Sequence, residues 1–294
     1  MKYLFTAICL FDLISCHNSC KREGDTETSI YITDDIIIKD KVKARDSIFN
    51  YDYYEKFLQK LISTNRYIFV PLSEFDTTYS SEKIVIGIRH DIDYDISSAV
   101  RFARREYRNG IRAVYYFLNT ADYYGIAKRD TIIRNPSVLA YMKKIQNEYN
   151  HEIGWHNDLV TCQIVYNLDI KKYLSKELAW LDSNGIRISG SSYHGSEYCY
   201  TYKYVNTYIW KGFIKNYNFE NYDSVFFDGY YVRIIKFNYT DFGFKYEAEQ
   251  LNPTYFFADV FYIDNKRWNM TMFDWDSLKP GDRVIILTHP ALWD

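Results

Sequence analysis

Four histidines of this chain follow short apolar runs that are typical of buried strands. The chain has six histidines in 294 residues, and four share this position: His90, His156, His194 and His289. In a parallel α/β barrel the carboxyl ends of the strands meet on one face. Because imidazole binds metals and exchanges protons near neutral pH, the pattern predicts a metal-binding or acid–base site at that face.

Two carboxylates follow the first of these runs. Asp91 and Asp93 are separated by one residue, so in an extended chain their side chains point to the same side. Neighbouring carboxylates repel each other unless a proton or a cation lies between them, and a divalent metal ion would satisfy both. One of them could instead cap the helix that starts near Ile96, but Asp95 is better placed for that cap.

The segments that must position these residues alternate between strand and helix. Strands are predicted at 84–88, 113–118, 152–155, 186–193 and 283–288, and helices at 53–63, 96–107, 136–149 and 169–181. The helix at 96–107 is predicted to place four residues on one apolar face: Ile96, Val100, Ala103 and Tyr107. After Gly195, strand-like aromatic segments at 225–227, 230–237 and 256–263 follow with few helices. We therefore expect an α/β fold, an incomplete and distorted (β/α) barrel of parallel strands with an irregular, aromatic-rich C-terminal half.

Four segments resemble motifs of the polysaccharide deacetylase (NodB-homology) family, in the same order and with similar spacing. Arg89-His90-Asp91-Ile92-Asp93 is similar to the family's first motif, Thr-Phe-Asp-Asp-Gly. Residues 110–117 (Gly-Ile-Arg-Ala-Val-Tyr-Tyr-Phe) resemble its second-strand signature, and residues 151–156 (His-Glu-Ile-Gly-Trp-His) resemble its Gly-His-Glu-Ile-Gly-x-His block. Residues 278–289, which end in Thr288-His289, resemble its closing strand.

The resemblance implies a metal-dependent hydrolase that removes N-acetyl groups from a glycan. In that family one Asp and two His bind a divalent ion, expected here to be zinc, with nickel or cobalt as alternatives. A second Asp is the general base, and a histidine on the last strand protonates the leaving amine. By this correspondence His156 is a metal ligand and His289 is the general acid.

The chain departs from the family pattern at two places. The family's second metal histidine lies four residues after the first, where this chain has Val160. His194 is the expected replacement, and Asp158 is a weaker one. The first motif is Asp-x-Asp instead of Asp-Asp, which favours Asp93 as the metal ligand and Asp91 as the base, although the two roles remain interchangeable at this stage.

Tyrosine is abundant, with 31 copies, and a flat ring with a hydroxyl group suits the face of a sugar. Tyr193 and Trp155 are expected to contact the substrate. The loss of the family histidine at Val160 leaves a second hypothesis open, a non-catalytic descendant that binds glycan. A third is an O-acetyl esterase on the same barrel, because fold and ligands do not determine the substrate.

The first 20 residues are typical of a leader. Leu13-Ile14-Ser15-Cys16 resembles a bacterial lipobox with Cys16 as the lipidated residue, and residues 21–50 are predicted to tether the domain at 51–294. This places the protein in the cell envelope, attached to a membrane only through lipid; an ordinary N-terminal element in a cytoplasmic protein is the alternative. Cys162 and Cys199 are expected to be buried thiols. A net charge of −2 gives no basic surface for nucleic acid.

Overall fold

The computed structural model is built around a parallel sheet, as the alternation of elements predicted. The structure describes residues 49–213, 221–263 and 266–293. In chain order the strands are β1 (Tyr67–Val70), β2 (Ile84–Ile92), β3 (Val114–Leu118), β4 (Gly125–Lys128), β5 (Thr131–Arg134), β6 (Glu152–Asn157), β7 (Ile188–Tyr193), β8 (Tyr222–Phe227), β9 (Tyr230–Ile235), β10 (Tyr255–Ala258), β11 (Tyr262–Ile263), β12 (Lys266–Arg267) and β13 (Arg283–Thr288).

Seven of these strands form the central sheet, in which every pairing is parallel. Its order is β10-β13-β2-β3-β6-β7, and β1 lies beside the first half of β2. Strand β2 is buried along its whole length, as expected for a parallel strand that is covered on both faces. Within the described residues β10 and β7 are not paired with each other, so these strands form an open sheet. The chain is therefore an α/β protein.

The described ranges contain seven α-helices, of which the first precedes β1 and the others lie between strands. They are α1 (Tyr51–Ser63), α2 (Leu72–Phe75), α3 (Ile96–Arg108), α4 (Val138–Lys143), α5 (Leu159–Ile164), α6 (Ile170–Ser183) and α7 (Glu197–Tyr202). Asp95 caps α3 by accepting a hydrogen bond from the Ser97 amide, as expected. The predicted helix at 136–149 is shorter as an α-helix, because Lys144–Glu148 continues it as a π-helical turn.

The predicted apolar face of α3 was wrong at Tyr107, whose side chain is exposed. At about 100° per residue, position 106 lies in line with Ala99, Phe102 and Ala103, and position 107 turns outward. Glu106 therefore occupies the buried position and is fully enclosed. An ionisable group at the centre of this face could not be anticipated from apolar spacing.

Two apolar layers cover the two faces of the sheet. The larger layer packs the helices against residues such as Ile86, Ile88 and Trp155. The smaller one, which includes Val85, Val114 and Tyr116, lies on the opposite face. Since successive side chains of a strand point to opposite faces, neighbours in the chain belong to different layers.

The C-terminal half is irregular, as predicted, but it also contributes to the central sheet. Strand β10 extends the sheet beside β13, and β8 and β9 form an antiparallel hairpin outside it. A second hairpin, β4–β5, was not predicted. Cys162 and Cys199 are buried free thiols, as expected.

The N-terminal predictions lie mostly outside the described residues. These include the leader, Cys16 and the tether as far as residue 48. Phe49, which the predicted tether includes, is buried, and its ring packs against Trp293 at a centroid distance of 5.0 Å. In the part of the chain that is described, no helix has the length and apolarity needed to cross a membrane.

Candidate active site at the carboxyl ends of the strands

The end of β2 places Asp91 and Asp93 opposite a histidine of β6. Nε2 of His156 lies 3.2 Å from Oδ1 of Asp93 and 3.6 Å from Oδ2 of Asp91. The shared orientation of the two carboxylates is what the i, i+2 spacing in an extended segment predicts. The hydroxyl of Tyr123 donates to the carbonyl of Ile92 and accepts the amide of Leu118, which ties the ends of β2 and β3 together.

The hydrogen bond made by Nδ1 of His156 determines which tautomer the neutral ring adopts. Nδ1 lies 3.2 Å from the carbonyl of Ser192 and donates to it, so in the neutral ring Nε2 presents a lone pair to Asp93. Oδ1 of Asp93 is buried and accepts no well-aligned hydrogen bond from the described residues. Two acceptors that face each other at this distance need either a proton on Nε2 or a cation between them.

Asp91 is held by a buried arginine. Nε and one terminal nitrogen of Arg89 donate to Oδ1 and Oδ2 of Asp91, each at 2.8 Å. The other terminal nitrogen of Arg89 lies 2.7 Å from Glu249. Burial raises the pKa of Asp91, but the charge of Arg89 and then that of His156 outweigh it, so the pKa is lowered and the carboxyl is ionised.

His289 is fixed by a carboxylate that the sequence reasoning missed. Oδ1 of Asp259 lies 2.7 Å from Nδ1 of His289, and Oδ2 accepts hydrogen bonds from the His289 amide at 2.8 Å and the Trp293 indole at 2.7 Å. Burial lowers the pKa of His289, but the charge and hydrogen bond of Asp259 outweigh it and raise the pKa to about 9. The free nitrogen, Nε2, lies 3.8 Å from Oδ2 of Asp93.

His194 lies beside His156 but is directed toward a third carboxylate. The two rings are 5.2 Å apart between centroids, and Nδ1 of His194 lies 3.6 Å from Oδ2 of Asp158. Asp158 also accepts hydrogen bonds from Thr120 and Thr161. Val160, at the position of the family ligand, is fully buried. Across the described ranges no group of three or more His, Cys, Asp or Glu side chains could hold a metal ion.

Of the two residues expected to contact the substrate, Trp155 lies on the other face of the sheet. Trp155 is buried among the helices, with its ring near those of Tyr124 and Tyr173, because strand alternation turns it away from His156. Its predicted contact with substrate does not fit this position. Tyr193, at the end of β7, is partly buried, and its amide lies 3.4 Å from Glu249.

His90, one of the four histidines predicted at the site, points away from Asp91 and belongs to a buried polar network. Its Nε2 donates to Oε1 of Glu106 at 2.7 Å, and its Nδ1 lies 2.7 Å from the hydroxyl of Thr288. The hydroxyls of Tyr54 and Tyr115 donate to the same carboxylate, at 2.5 Å and 2.6 Å. With both nitrogens engaged in the core, His90 is a structural residue in this conformation.

Access to the site is from the side of His194 and His289. Their side chains are 12% and 15% exposed, whereas those of Asp91 and His156 are 4% and 2% exposed. The site is therefore largely shielded from water, which strengthens the electrostatic interactions inside it.

Comparisons with known proteins add no neighbour to this chain: no family model, no curated protein and no solved structure matches it. The likeness to the polysaccharide deacetylases rests on the motifs alone.

Proposed function

We propose that the protein is a metal-dependent hydrolase that removes N-acetyl groups from a glycan, built on an incomplete, distorted (β/α) barrel. The observation that carries this proposal is the contact of Asp93 with both His156 and His289. These three side chains come from the ends of β2, β6 and β13, and Nε2 of His156 and Oδ1 of Asp93 face each other at their centre, 3.2 Å apart.

Asp93 and His156 are a pair of donors that suits a divalent ion. Oxygen and nitrogen ligands lie about 2.0–2.2 Å from zinc, so two ligands of one tetrahedral ion are about 3.3 Å apart, close to the 3.2 Å between Asp93 and His156. Asp93 and His156 would hold the ion, and His194, whose Nδ1 faces Asp158 in this conformation, would have to turn toward them to become the third ligand. Zinc, or alternatively nickel or cobalt, supplies a Lewis acid that polarises the acetyl carbonyl and lowers the pKa of water.

Asp91 and His289 would transfer the protons. Each oxygen of Asp91 gives one lone pair to Arg89 and retains another, which can accept a proton from the attacking water. Nδ1 of His289 donates to Asp259, so the proton on Nε2 faces the site and can be given to the leaving nitrogen. Water adds to the acetyl carbon, the carbon–nitrogen bond breaks, and acetate and an amine are released.

Acetate release from N-acetylated chitooligosaccharides, peptidoglycan and capsule fragments tests this proposal. Wild-type protein with added zinc is expected to release acetate, and His289→Gln to lose at least about a hundredfold in kcat. Tyr79→Ala, which changes an exposed ring that precedes β2 at the opposite end of the sheet, is the control. An O-acetylated substrate in parallel separates amidase from esterase activity. Equal rates for His289→Gln and wild type would contradict the proposal.

A non-catalytic glycan-binding protein is the second candidate. It is supported by the buried Val160 at the family's ligand position and by the direction of His194 toward Asp158. Under this hypothesis the protein binds the same glycans, releases no acetate with any of the three metals, and retains binding in His289→Gln.

A further inference from the structure

A groove of about 320 Å³ lies between helix α1 and residues 270–275, and we call it the α1 groove. Four residues of α1 line it, at spacings of three or four that place them on one face of the helix: Tyr53, Lys56, Phe57 and Lys60. On the adjoining face, Tyr54 and Leu58 are fully buried in the core. The residues of the candidate active site do not line this groove.

The floor of the α1 groove is aromatic. The ring centroid of Trp275 lies 5.0 Å from that of Phe57 and 5.2 Å from that of Phe273. The indole nitrogen of Trp275 donates to the carbonyl of Met270 at 2.7 Å, which fixes the position of the ring. These contacts join the rings into one apolar surface that α1 and residues 270–275 build together.

The rim of the α1 groove is positively charged. Lys56 and Lys60 are exposed and lie one helical turn apart, and neither forms an ion pair within the described residues. No Asp or Glu is among the described residues that line the groove. The hydroxyl of Tyr53 is shielded from water and has no well-aligned hydrogen-bond partner in the described ranges, although Thr271 lies near it. An apolar ligand that carries carboxylates would suit the rings, both ammonium groups and this hydroxyl.

A segment of the same chain has this chemistry. Residues 34–40 (Asp-Asp-Ile-Ile-Ile-Lys-Asp) contain three consecutive isoleucines, and their three aspartates and one lysine give a net charge of −2. This charge is equal and opposite to that of Lys56 and Lys60. The nine residues from Asp40 to Phe49 span at most about 32 Å, whereas α1, with its 13 residues, is about 20 Å long. Every part of the groove is therefore within reach of the segment.

We infer that residues 34–40 bind in the α1 groove of their own molecule, with the isoleucines on the aromatic floor and the aspartates beside Lys56 and Lys60. A free amphipathic anion, such as a fatty acid, could contact the same groups. The segment has the advantage of covalent connection, which gives it an effective concentration on the order of millimolar at the groove. Binding would determine where the N-terminal region leaves the domain, and it is independent of the proposed hydrolase activity.

Disulfide trapping in the full-length protein tests this inference. Ile37→Cys is combined with Thr271→Cys at the groove, in a background in which three thiols are replaced by serine: Cys9, Cys16 and Cys20. Ile37→Cys/Ile62→Cys is the matched control, because Ile62 is 40% exposed on the same helix and lies about 180° around it from Tyr53. In a glutathione buffer the fraction of intramolecular disulfide gives the effective concentration of the two thiols. We expect it to be at least about tenfold higher at Thr271→Cys than at Ile62→Cys.

A charge swap separates specific binding from chance encounter. Lys56→Asp/Lys60→Asp is expected to lower the effective concentration at Thr271→Cys by about fivefold or more. Adding Asp34→Lys/Asp35→Lys to the same protein is expected to restore it, because opposite charges then face each other again. Circular dichroism spectra identical to those of the parent protein exclude unfolding as the cause of a loss.

Three results would overturn the inference. They are equal trapping at Thr271→Cys and Ile62→Cys, a charge swap that neither lowers nor restores trapping, and disulfides that join two molecules instead of forming within one. Acetate release enters none of these measurements, so the hydrolase proposal can fail while the α1 groove is supported, and the reverse.

Discussion

Asp259 holds His289 at both its ring and its backbone, through one carboxylate oxygen each. Fixing Nδ1 leaves Nε2 as the only ring nitrogen that can exchange a proton with a ligand in the site. Among the interactions that raise the pKa of His289, the one with the charge of Asp259 is the largest. The charges of Asp91 and Asp93 also raise the pKa of His289, and a metal ion beside them would neutralise these charges. The effect of Asp259 on the pKa would remain.

Asp259→Asn is therefore expected to move the alkaline limb of the activity profile. A general acid must be protonated, and the raised pKa of about 9 keeps His289 protonated at neutral pH. Without the charge of Asp259 the pKa falls, so activity is lost at lower pH, by roughly one unit or more. The measurement is kcat/KM for acetate release from pH 5 to pH 10. An alkaline limb in the same place as in wild type would show that His289 is not the titrating acid.

His156→Ala is expected to abolish stoichiometric zinc binding. Loss of a residue that only hydrogen-bonds to a metal ligand typically weakens metal affinity by roughly 10- to 100-fold. Loss of the ligand itself should weaken zinc affinity further. Equilibrium dialysis with elemental analysis gives the metal content. His151→Gln is the matched control, because His151 is engaged by the Ala103 carbonyl and the Ala113 amide at the other end of β6. Equal zinc content in His156→Ala and wild type would remove His156 from the ligand set.

Arg89→Met is expected to lower the free energy of unfolding by about 3–5 kcal/mol. The change leaves Asp91 buried without its counter-ion and deprives Glu249 of its partner, and uncompensated buried charge has this cost. Arg129→Met is the control, since the Arg129–Asp130 pair is solvent-exposed and should contribute less than about 1 kcal/mol. Urea titrations of both variants give the comparison, and similar losses would contradict the assigned role of Arg89.

Glu106→Gln is expected to reduce the acid sensitivity of the fold. Burial raises the pKa of Glu106, but His90 and then His151 and Tyr115 outweigh it, so the pKa lies below its unfolded value of about 4.5. The ionised carboxylate therefore contributes stability that is present above about pH 4.5 and is lost as the pH falls through the lower, folded pKa. The difference in Tm between wild type and Glu106→Gln should be largest near neutral pH and shrink below pH 4.5. A constant difference would show that the charge of Glu106 does not stabilise the fold.

The positions of the site residues along the chain were predictable because strand ends converge in a parallel sheet. His156 and Asp93 are in contact for this reason, and Arg89 could have been assigned to Asp91 by the same i, i+2 rule. Asp259 directly follows β10, but that strand was expected as part of a longer segment at 256–263, so its end was misplaced.

Other features depend on packing that the local sequence does not encode. Glu249 comes from a 3₁₀ turn with no periodic pattern, and only the tertiary fold brings it to Arg89. Trp155 was expected to contact the substrate, although it directly precedes His156 and alternation along a strand separates adjacent side chains. Strand β1 has only four residues, too few for a periodic signal.

Near the end of strand β2, two adjacent residues point to opposite faces of the sheet. His90 contacts Glu106 and Thr288 in the buried polar network, and Asp91 belongs to the candidate site. A substitution at His90 that improves packing also displaces the backbone that carries Asp91. Thr288, the last residue of β13, and His289, which follows it, are related in the same way. Mutations in the network are therefore expected to be epistatic with mutations in the site, so directed evolution for thermal tolerance would need to change these neighbouring positions together.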